Sequence, residues 1–390
     1  MNRLFFYLYT FVVTLVYILA LPLIWIASFK QKYQESIPAR FFLQHNTPFP
    51  ANGVWFHVCS FGEARAIKPL IEKIAPKDLR LSATTQTGID VLKSYSPFSR
   101  YLPFESLLFS WIQPQKALVV MEAELWYLLF LIARQKGAKT ILINARISER
   151  SYPKYKKFKW IYKHIFNSID EIFAQRQEDK IRLIELGADE KRIVVTGNIK
   201  MATLPKPTRD LAKSNGVIIC GASTHKNEES LILDAFVNFR LKEFGRLIIV
   251  PRHPERFDEV AKEIDKVAKL HSLSWHKFSH KENFSSDIIL VDRLGWLVDI
   301  YAICDVVILG GAFEKIGGHN AGEVAQFGCK IISGKYYFNQ ADIFKMIDGI
   351  EIVEKHELMA KLKNYREIKD ASINSSTDIT PIIKAISRVL

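Results

Sequence analysis

The chain opens on an unbroken apolar run and then changes rhythm. From Leu4 to Phe29 no residue carries a charged side chain. About 20 apolar residues at 1.5 Å each cross a hydrocarbon core, so the run predicts a membrane-anchoring, transmembrane-type helix within residues 1–32. It is too long for the apolar core of a signal peptide, and no small-x-small cleavage site follows it. Tyr7, Tyr9, Tyr17 and Trp25 suit membrane interfaces. Lys30, Lys32 and Arg40 follow the run, whereas only Arg3 and the amino terminus precede it. That weak asymmetry places the bulk of the chain on the cytoplasmic side. Pro22 leaves a shallow or re-entrant insertion open beside a span, and a buried core helix is the plain alternative.

From Val54 onward, short continuous apolar runs alternate with amphipathic stretches. The first half offers VWFHV (54–58), LRLSA (79–83), ALVVM (117–121), TILIN (140–144), EIFA (171–174) and RIVVT (192–196). Runs of this kind read as buried parallel strands, and the intervening helical patterns predict a doubly wound α/β sheet. TLPKPTRDLAKSNG (203–216), rich in proline and charge, reads as a linker. The rhythm then restarts with GVIIC (216–220), RLIIV (246–250), DIILV (287–291), DVVIL (305–309) and CKIIS (329–333). The expected architecture is two Rossmann-like α/β domains, at 50–203 and 215–375, with an interdomain cleft. A last helix at 376–390 would pack back on the first domain. Ligands of such sheets bind beyond the carboxyl ends of the strands, so the loops after the strands are where chemistry is expected.

Composition narrows the partners. The 390 residues are 48% hydrophobic and 24% charged, as in a folded globular protein. A net charge of +13 suits a phosphate-bearing partner, whether nucleic acid, anionic lipid or a nucleotide-linked substrate. No nucleic-acid-binding motif accompanies the charge, so nucleic acid is not expected. Cys59, Cys220, Cys304 and Cys329 are scattered without metal-ligand spacing and read as free thiols in a reducing compartment. In SYPKYKKFKWIYKHIFN (151–167) aromatic residues interleave with five lysines. It reads either as a basic surface for an anionic membrane or as an ordinary helix with snorkelling lysines.

The loops carry the candidate chemistry. HVCSFGEARA (57–66) puts Glu63 in the first turn of a helix, just after Gly62. There it is either a dipole-stabilising acid or a general base. SATTQTG (82–88) offers Thr84, Thr85 and Gly88 as a sugar or anion site, or as a helix cap. MEAELW (121–126) places Glu122 and Glu124 two residues apart at a strand end, pointing the same way if the backbone is extended. In the second half, GASTHKNEE (221–229) offers backbone amides, Ser223 and Thr224 to a phosphate, with His225 beside them. VPRHPERF (250–257) adds Arg252, His253 and Arg256, against a reading as solvated charge. LGGAFEKIGGHNAGE (309–323), glycine-rich before a helical run ending near Phe327, allows close approach of a ligand to backbone amides.

Taken together, these stretches resemble the 3-deoxy-D-manno-octulosonic acid (Kdo) transferase family of Gram-negative bacteria. The resemblance runs over nearly the whole chain. It rests on SFGEARAIKPLI, TTQTG, YLPFE, MEAELW, NARISERSY, AQRQEDKIRLIELGA, GNIK, GASTHKNEE, VPRHPERF, GGAFEKIGGHN and Phe338-Asn339. It implies a GT-B fold with a short anchor at the cytoplasmic face of the inner membrane, held among anionic lipids. The implied activity is inverting transfer of Kdo from CMP-Kdo to the lipid A precursor, in lipopolysaccharide biosynthesis, without cofactor or metal. By that resemblance Glu63 is the general base, and Glu122 and Glu124 belong to the reacting centre. Ser60, Gly62, Thr84, Thr85 and Gly88 would line the acceptor side. Ser223, Thr224, Arg252 and His253 would hold the CMP moiety. Glu323 would take the ribose hydroxyls, with Gly317, Gly318, His319 and Asn320 near the phosphate.

The chain also departs from the family pattern. The usual GGHN-x-LEPA reads Ala321, Gly322, Glu323 and Val324 after GGHN here. ELWPN has Tyr127 and Leu128, and GNLKFD has Met201 and Ala202. Other readings are a different lipid-linked GT-B glycosyltransferase, a nucleotide-sugar epimerase, or a membrane-tethered nucleotide-sugar-binding protein without turnover.

Overall fold

The computed structural model describes residues 2–202, 204–374 and 377–390. Met1, Thr203, Ser375 and Ser376, on which the expected domain limits fall, lie outside the described residues, as does the side chain of Lys32. The chain divides into two compact units. The first holds the residues before Thr203 together with Thr377–Leu390, and the second begins at Leu204.

Each unit is a seven-stranded sheet, parallel throughout, with helices on both faces. In unit 1 the strands are β1 (Val54–Val58), β2 (Leu79–Ala83), β3 (Ser99–Tyr101), β4 (Ala117–Met121), β5 (Lys139–Ala145), β6 (Glu171–Ala174) and β7 (Ile193–Val195). They lie in the order β3-β2-β1-β4-β5-β6-β7. β1, β2 and β4 are buried along their whole length, which is why they read as unbroken apolar runs. One face packs Trp55, Leu118, Phe130 and Ile172, and the other packs Phe56, Leu81, Val119 and Ile143. The C-terminal helix Thr380–Ser387 closes the second face with Ile382, Ala385 and Ile386. It is tied down by Asp378 N donating to Thr196 O at 2.9 Å.

In unit 2 the strands are β8 (Val217–Thr224), β9 (Gly245–Pro251), β10 (Trp275–Lys277), β11 (Ile288–Leu290), β12 (Val306–Leu309), β13 (Lys330–Gly334) and β14 (Ile350–Val353). Their order is β10-β11-β9-β8-β12-β13-β14, and a two-stranded antiparallel pair joins Ile347–Asp348 to Ser372–Ile373. The expected linker is not slack after Leu204. Asp299 accepts from Thr208 N (2.6 Å), Arg209 N (3.0 Å) and Arg209 Nη1 (2.6 Å), and the guanidinium of Arg209 lies 3.9 Å over Trp296.

In both sheets the strand order reverses once. β1 and β4 are neighbours whose connections leave in opposite directions, and so are β8 and β12. Such a switch point opens a crevice at the carboxyl ends of its two strands, because neither connection covers it. These two crevices hold the chemistry.

The anchor run forms one helix, α1 (Arg3–Ser28), capped by Asn2, whose side chain accepts from Phe5 N at 3.2 Å. By length and composition it is apolar enough to cross a membrane.

Candidate active site

The β1–β4 crevice of unit 1 collects the acidic residues. Glu63 stands in the first turn of the helix Phe61–Ala66, whose N-cap is Ser60. Ser60 Oγ donates to Glu63 Oε1 at 2.8 Å, and Cys59 N donates to Oε2 at 2.8 Å. The carboxylate therefore folds back over the end of β1 and is only 6% exposed. Burial pushes its pKa up, and the charge of Glu122 pushes it further. Cys59 N–H, Ser60 and Lys200 pull the other way, and the balance is about 7. Gly62 is exposed, and a Cβ added there would meet nothing within 4 Å. Packing alone does not demand glycine at that turn.

Glu122 and Glu124 do not point the same way, as an extended strand end would require. Glu122 takes a left-handed conformation (φ 60°), which breaks the alternation at the end of β4. Its Oε1 pairs with Lys200 Nζ at 2.6 Å and accepts from Asn144 Nδ2 at 3.3 Å. Glu124 instead accepts from Trp126 Nε1 at 2.8 Å and lies 3.8 Å from His57 Nε2. Burial would raise the Glu124 carboxyl, but His57, Trp126 and Cys59 outweigh it and hold the group below the usual range. Two carboxyls of one crevice are thus driven apart, Glu63 toward neutrality and Glu124 toward charge. Cys59 is no nucleophile, since burial pushes its thiol up to about 11.

Thr84 and Thr85 are spent on the local turn. Thr85 Oγ1 caps the helix Gln86–Lys93 by accepting from Gly88 N (3.2 Å), and it donates to Cys59 O (2.6 Å). Thr84 Oγ1 lies 2.9 Å from Cys59 Sγ. A Cβ on Gly88 would sit 3.2 Å from Cys59 O, so this glycine lets the helix approach β1. Of the two readings for these residues, the helix cap is the one the geometry realises. Three members of the cluster were not singled out from the sequence. His57, Asn144 and Lys200 lie on β1, at the end of β5 and on the short helix Ile199–Ala202.

The β8–β12 crevice of unit 2 is built differently from its expected form. β8 continues through Thr224, and the following helix starts only at Glu228. Glu228, fully buried, accepts from His225 N (2.9 Å), Gly311 N (2.8 Å) and Phe313 N (3.1 Å). Those amides are filled by the chain's own carboxylate and are not available to a phosphate. The Thr224 hydroxyl is buried with no hydrogen-bond partner. Ser223 holds φ 52° where Gly310 crosses it so closely that a Cβ would lie 2.4 Å from Ser223 O.

Above this floor His225 and His319 share a hydrogen bond (Nε2 to Nε2, 3.0 Å), and the His253 ring lies 5.3 Å from that of His225. Burial, then His225, Arg252 and His253, lower His319 to about 4; burial and His253 lower His225 as well. Both rings are neutral near pH 7 and face cationic neighbours, an arrangement that an anion would relieve. Arg252 is exposed and bound only through its backbone, N–H to Thr224 O at 3.0 Å. Arg256 behaves otherwise. It forms a two-pronged pair with buried Glu229 at 2.6 and 3.1 Å and serves the fold.

The glycine-rich loop does not run into a long helix, for the helix Gly322–Ala325 is only four residues. Gly317 (φ 118°) and Gly318 (φ 77°) turn the loop back so that both N–H groups donate to Gly311 O. A Cβ on Gly317 would sit 2.0 Å from Asn339 Nδ2, which accounts for the late Phe338-Asn339 pair: Asn339 needs that space to reach Ile316 O at 3.2 Å. Asn320 and Glu323 are hydrogen-bonded to each other at 3.3 Å.

Residues 35–203 match the 3-deoxy-D-manno-octulosonic-acid transferase (kdotransferase) family. The chain is 32% identical over 354 residues to a bifunctional glycosyltransferase/methyltransferase of Fusobacterium nucleatum, covering 83% of this chain but only 54% of that protein. It is 31% identical over 369 residues to the 3-deoxy-D-manno-octulosonic acid transferase of Haemophilus influenzae, covering 88% of this chain and 84% of that one. Among solved structures, the UDP-GlcNAc 2-epimerase of Methanocaldococcus jannaschii superposes with a TM-score of 0.53 at 12% identity, over 86% of this chain and 99% of its own. At that identity the likeness shows the fold alone.

Proposed function

Since the chain belongs to the 3-deoxy-D-manno-octulosonic acid transferase family of glycosyltransferases, whose members act in lipopolysaccharide biosynthesis, we propose that it moves Kdo from CMP-Kdo to a lipid A precursor with Glu63 as general base. The observation that carries the reading is the state of Glu63. It is a buried carboxyl at a strand switch point, with a pKa of about 7, poised to take a proton near neutral pH. The acceptor hydroxyl gives its proton to Glu63 as its oxygen bonds to the anomeric carbon of Kdo. The bond from that carbon to the CMP phosphate breaks, and its electron pair leaves with CMP. Attack opposite the leaving group inverts the configuration.

The remaining groups have matching tasks. The Glu122–Lys200 pair, beside Glu63, sets its proton affinity. Ionised Glu124, braced by His57 and Trp126, orients acceptor hydroxyls. Ser60 positions the base and Gly62 leaves room for the sugar. Thr84, Thr85 and Gly88 shape the floor of this crevice. In unit 2, Ser223, Thr224, Arg252, His253 and His319 take the CMP phosphate, supported by the unpartnered Thr224 hydroxyl and the neutral histidines among cations. Gly317 and Gly318 admit the nucleotide, and Asn320 and Glu323 receive its ribose. No resident cofactor or metal enters this scheme.

The test is Glu63→Gln, assayed with CMP-Kdo and a defined lipid A precursor by mass spectrometry of the lipid. Turnover should fall about 10²- to 10⁴-fold with CMP binding retained. Turnover within tenfold of the parent would remove Glu63 from the role of base.

A further inference from the structure

The long apolar helix carries observations that sugar transfer does not use. One stripe of α1 is fastened to unit 1. Phe5, 7% exposed, lies in the core, its ring stacked on His164 at 4.0 Å and edge-on to Tyr127 at 5.0 Å. Tyr9 Oη donates to Glu105 Oε2 at 2.9 Å, and Glu105 Oε1 accepts from Leu128 N at 2.6 Å. Glu105 is the acid of YLPFE, a motif the reaction leaves without a task, and here it is the latch for the helix. Tyr17, two turns further, donates to the Phe41 carbonyl and stacks on Phe104 at 5.3 Å.

At 100° per residue, positions 5, 9 and 17 share about one third of the helix circumference. The opposite side carries Leu8, Phe11, Leu15, Ile18, Leu19 and Ile26, each between 43% and 69% exposed. The anchored stripe decides the geometry. With residues 5–17 held against a folded α/β unit, only residues 18–29 extend beyond the contacts. At 1.5 Å each they reach about 18 Å, far short of a hydrocarbon core of about 30 Å.

The surroundings identify what covers the exposed side. The basic aromatic stretch forms the helices Tyr152–Lys157 and Lys159–Phe166. Trp160 touches Phe5 edge-on at 5.8 Å, so this stretch adjoins the start of α1. Phe158 and Trp160 are 45% and 56% exposed, among the exposed Lys154, Lys157 and Lys159. Apolar rings flanked by lysines match the acyl boundary and phosphates of an anionic leaflet.

We propose that α1 lies in the plane of an anionic membrane, latched to unit 1 through Glu105 and Tyr9, with both of its ends on the side that holds unit 1. The expected transmembrane span is replaced by a monotopic face that α1 and the basic aromatic helices form together. This holds whichever sugar is transferred.

The test uses the full-length protein in vesicles of phosphatidylethanolamine and phosphatidylglycerol. Leu8→Cys and Leu19→Cys, on the same side of α1 and about 16 Å apart along it, each receive an environment-sensitive fluorophore. Quenching by lipids brominated at successive acyl positions reports their depths. An in-plane helix puts both labels at one depth, within a few Å. A difference approaching 16 Å means a span and overturns the proposal. Absence of lipid quenching, with cross-linking between copies at these positions, overturns it in favour of a protein–protein contact. In sealed vesicles, Asn2→Cys should react with a membrane-impermeant maleimide from the same side as Lys93→Cys. Reaction from opposite sides refutes the in-plane topology.

Discussion

Replacing Glu122 by glutamine tests how the base is tuned. Glu63 sits at about 7 against an ordinary 4.5, and at 1.36 kcal/mol per pH unit the site opposes the carboxylate by roughly 3 kcal/mol. Burial is the larger cause and the like charge of Glu122 the next. Glu122→Gln removes that charge and releases Lys200 from its 2.6 Å pair, so both changes favour ionised Glu63. A neighbouring carboxylate is typically worth about one pH unit or more, which moves the base to about 6. The base must be ionised to act, so the rate rises as pH passes upward through its pKa. At pH 6 the ionised fraction should climb from about one tenth to about one half, roughly a fivefold gain relative to each enzyme's own plateau. The assay is the kcat profile between pH 5 and 9 at saturating substrates. Its midpoint is read independently of plateau height, so a lower plateau caused by lost substrate contacts does not obscure it. A midpoint that stays at 7 or moves upward would refute the electrostatic account. The same penalty acts on folding. A carboxyl whose pKa is raised on folding contributes fully below its unfolded pKa, and that contribution is lost as pH rises through about 7. Glu63→Gln should abolish this loss, so the variant gains on the parent between pH 5 and 8 in chemical denaturation.

Two further outcomes follow from the second crevice. Glu228→Ala strands three buried amide donors, each costing about 1–3 kcal/mol. The melting temperature should drop by several degrees and unit 2 should become sensitive to limited proteolysis; a shift below 2 °C, on the order of measurement error, would show that water replaces the carboxylate at no cost. Gly317→Ala forces a φ of 118° on a residue with a side chain and drives a Cβ onto Asn339. Strain of about 1–3 kcal/mol should weaken CMP binding roughly tenfold or more by calorimetry, and unchanged affinity would separate this loop from the nucleotide.

The α/β class was legible because buried parallel strands need side chains that are apolar on both faces. VWFHV, ALVVM and DVVIL announce themselves for that reason. Ser99–Tyr101, Trp275–Lys277 and Ile350–Val353 gave no such signal. They are edge strands of three or four residues, partly exposed, so burial imposes no unbroken apolar run on them. The carboxylates at strand ends were visible as residue types in strand-end loops. Their grouping was not, since Asn144 and Lys200 reach Glu122 from 22 and 78 positions away.

The sequence by itself determined the alternation, the apolar start and the set of polar residues at the strand ends, because each depends on local periodicity or composition. Only the tertiary structure decided which of them act together. The left-handed turn at Glu122 sends it toward Lys200 and leaves Glu124 to His57. Glu228 fills amides that looked ready for a phosphate. A stripe of α1 is claimed by Glu105 and Phe5's neighbours, which composition could not foresee, since hydropathy counts apolar residues without knowing what already faces them.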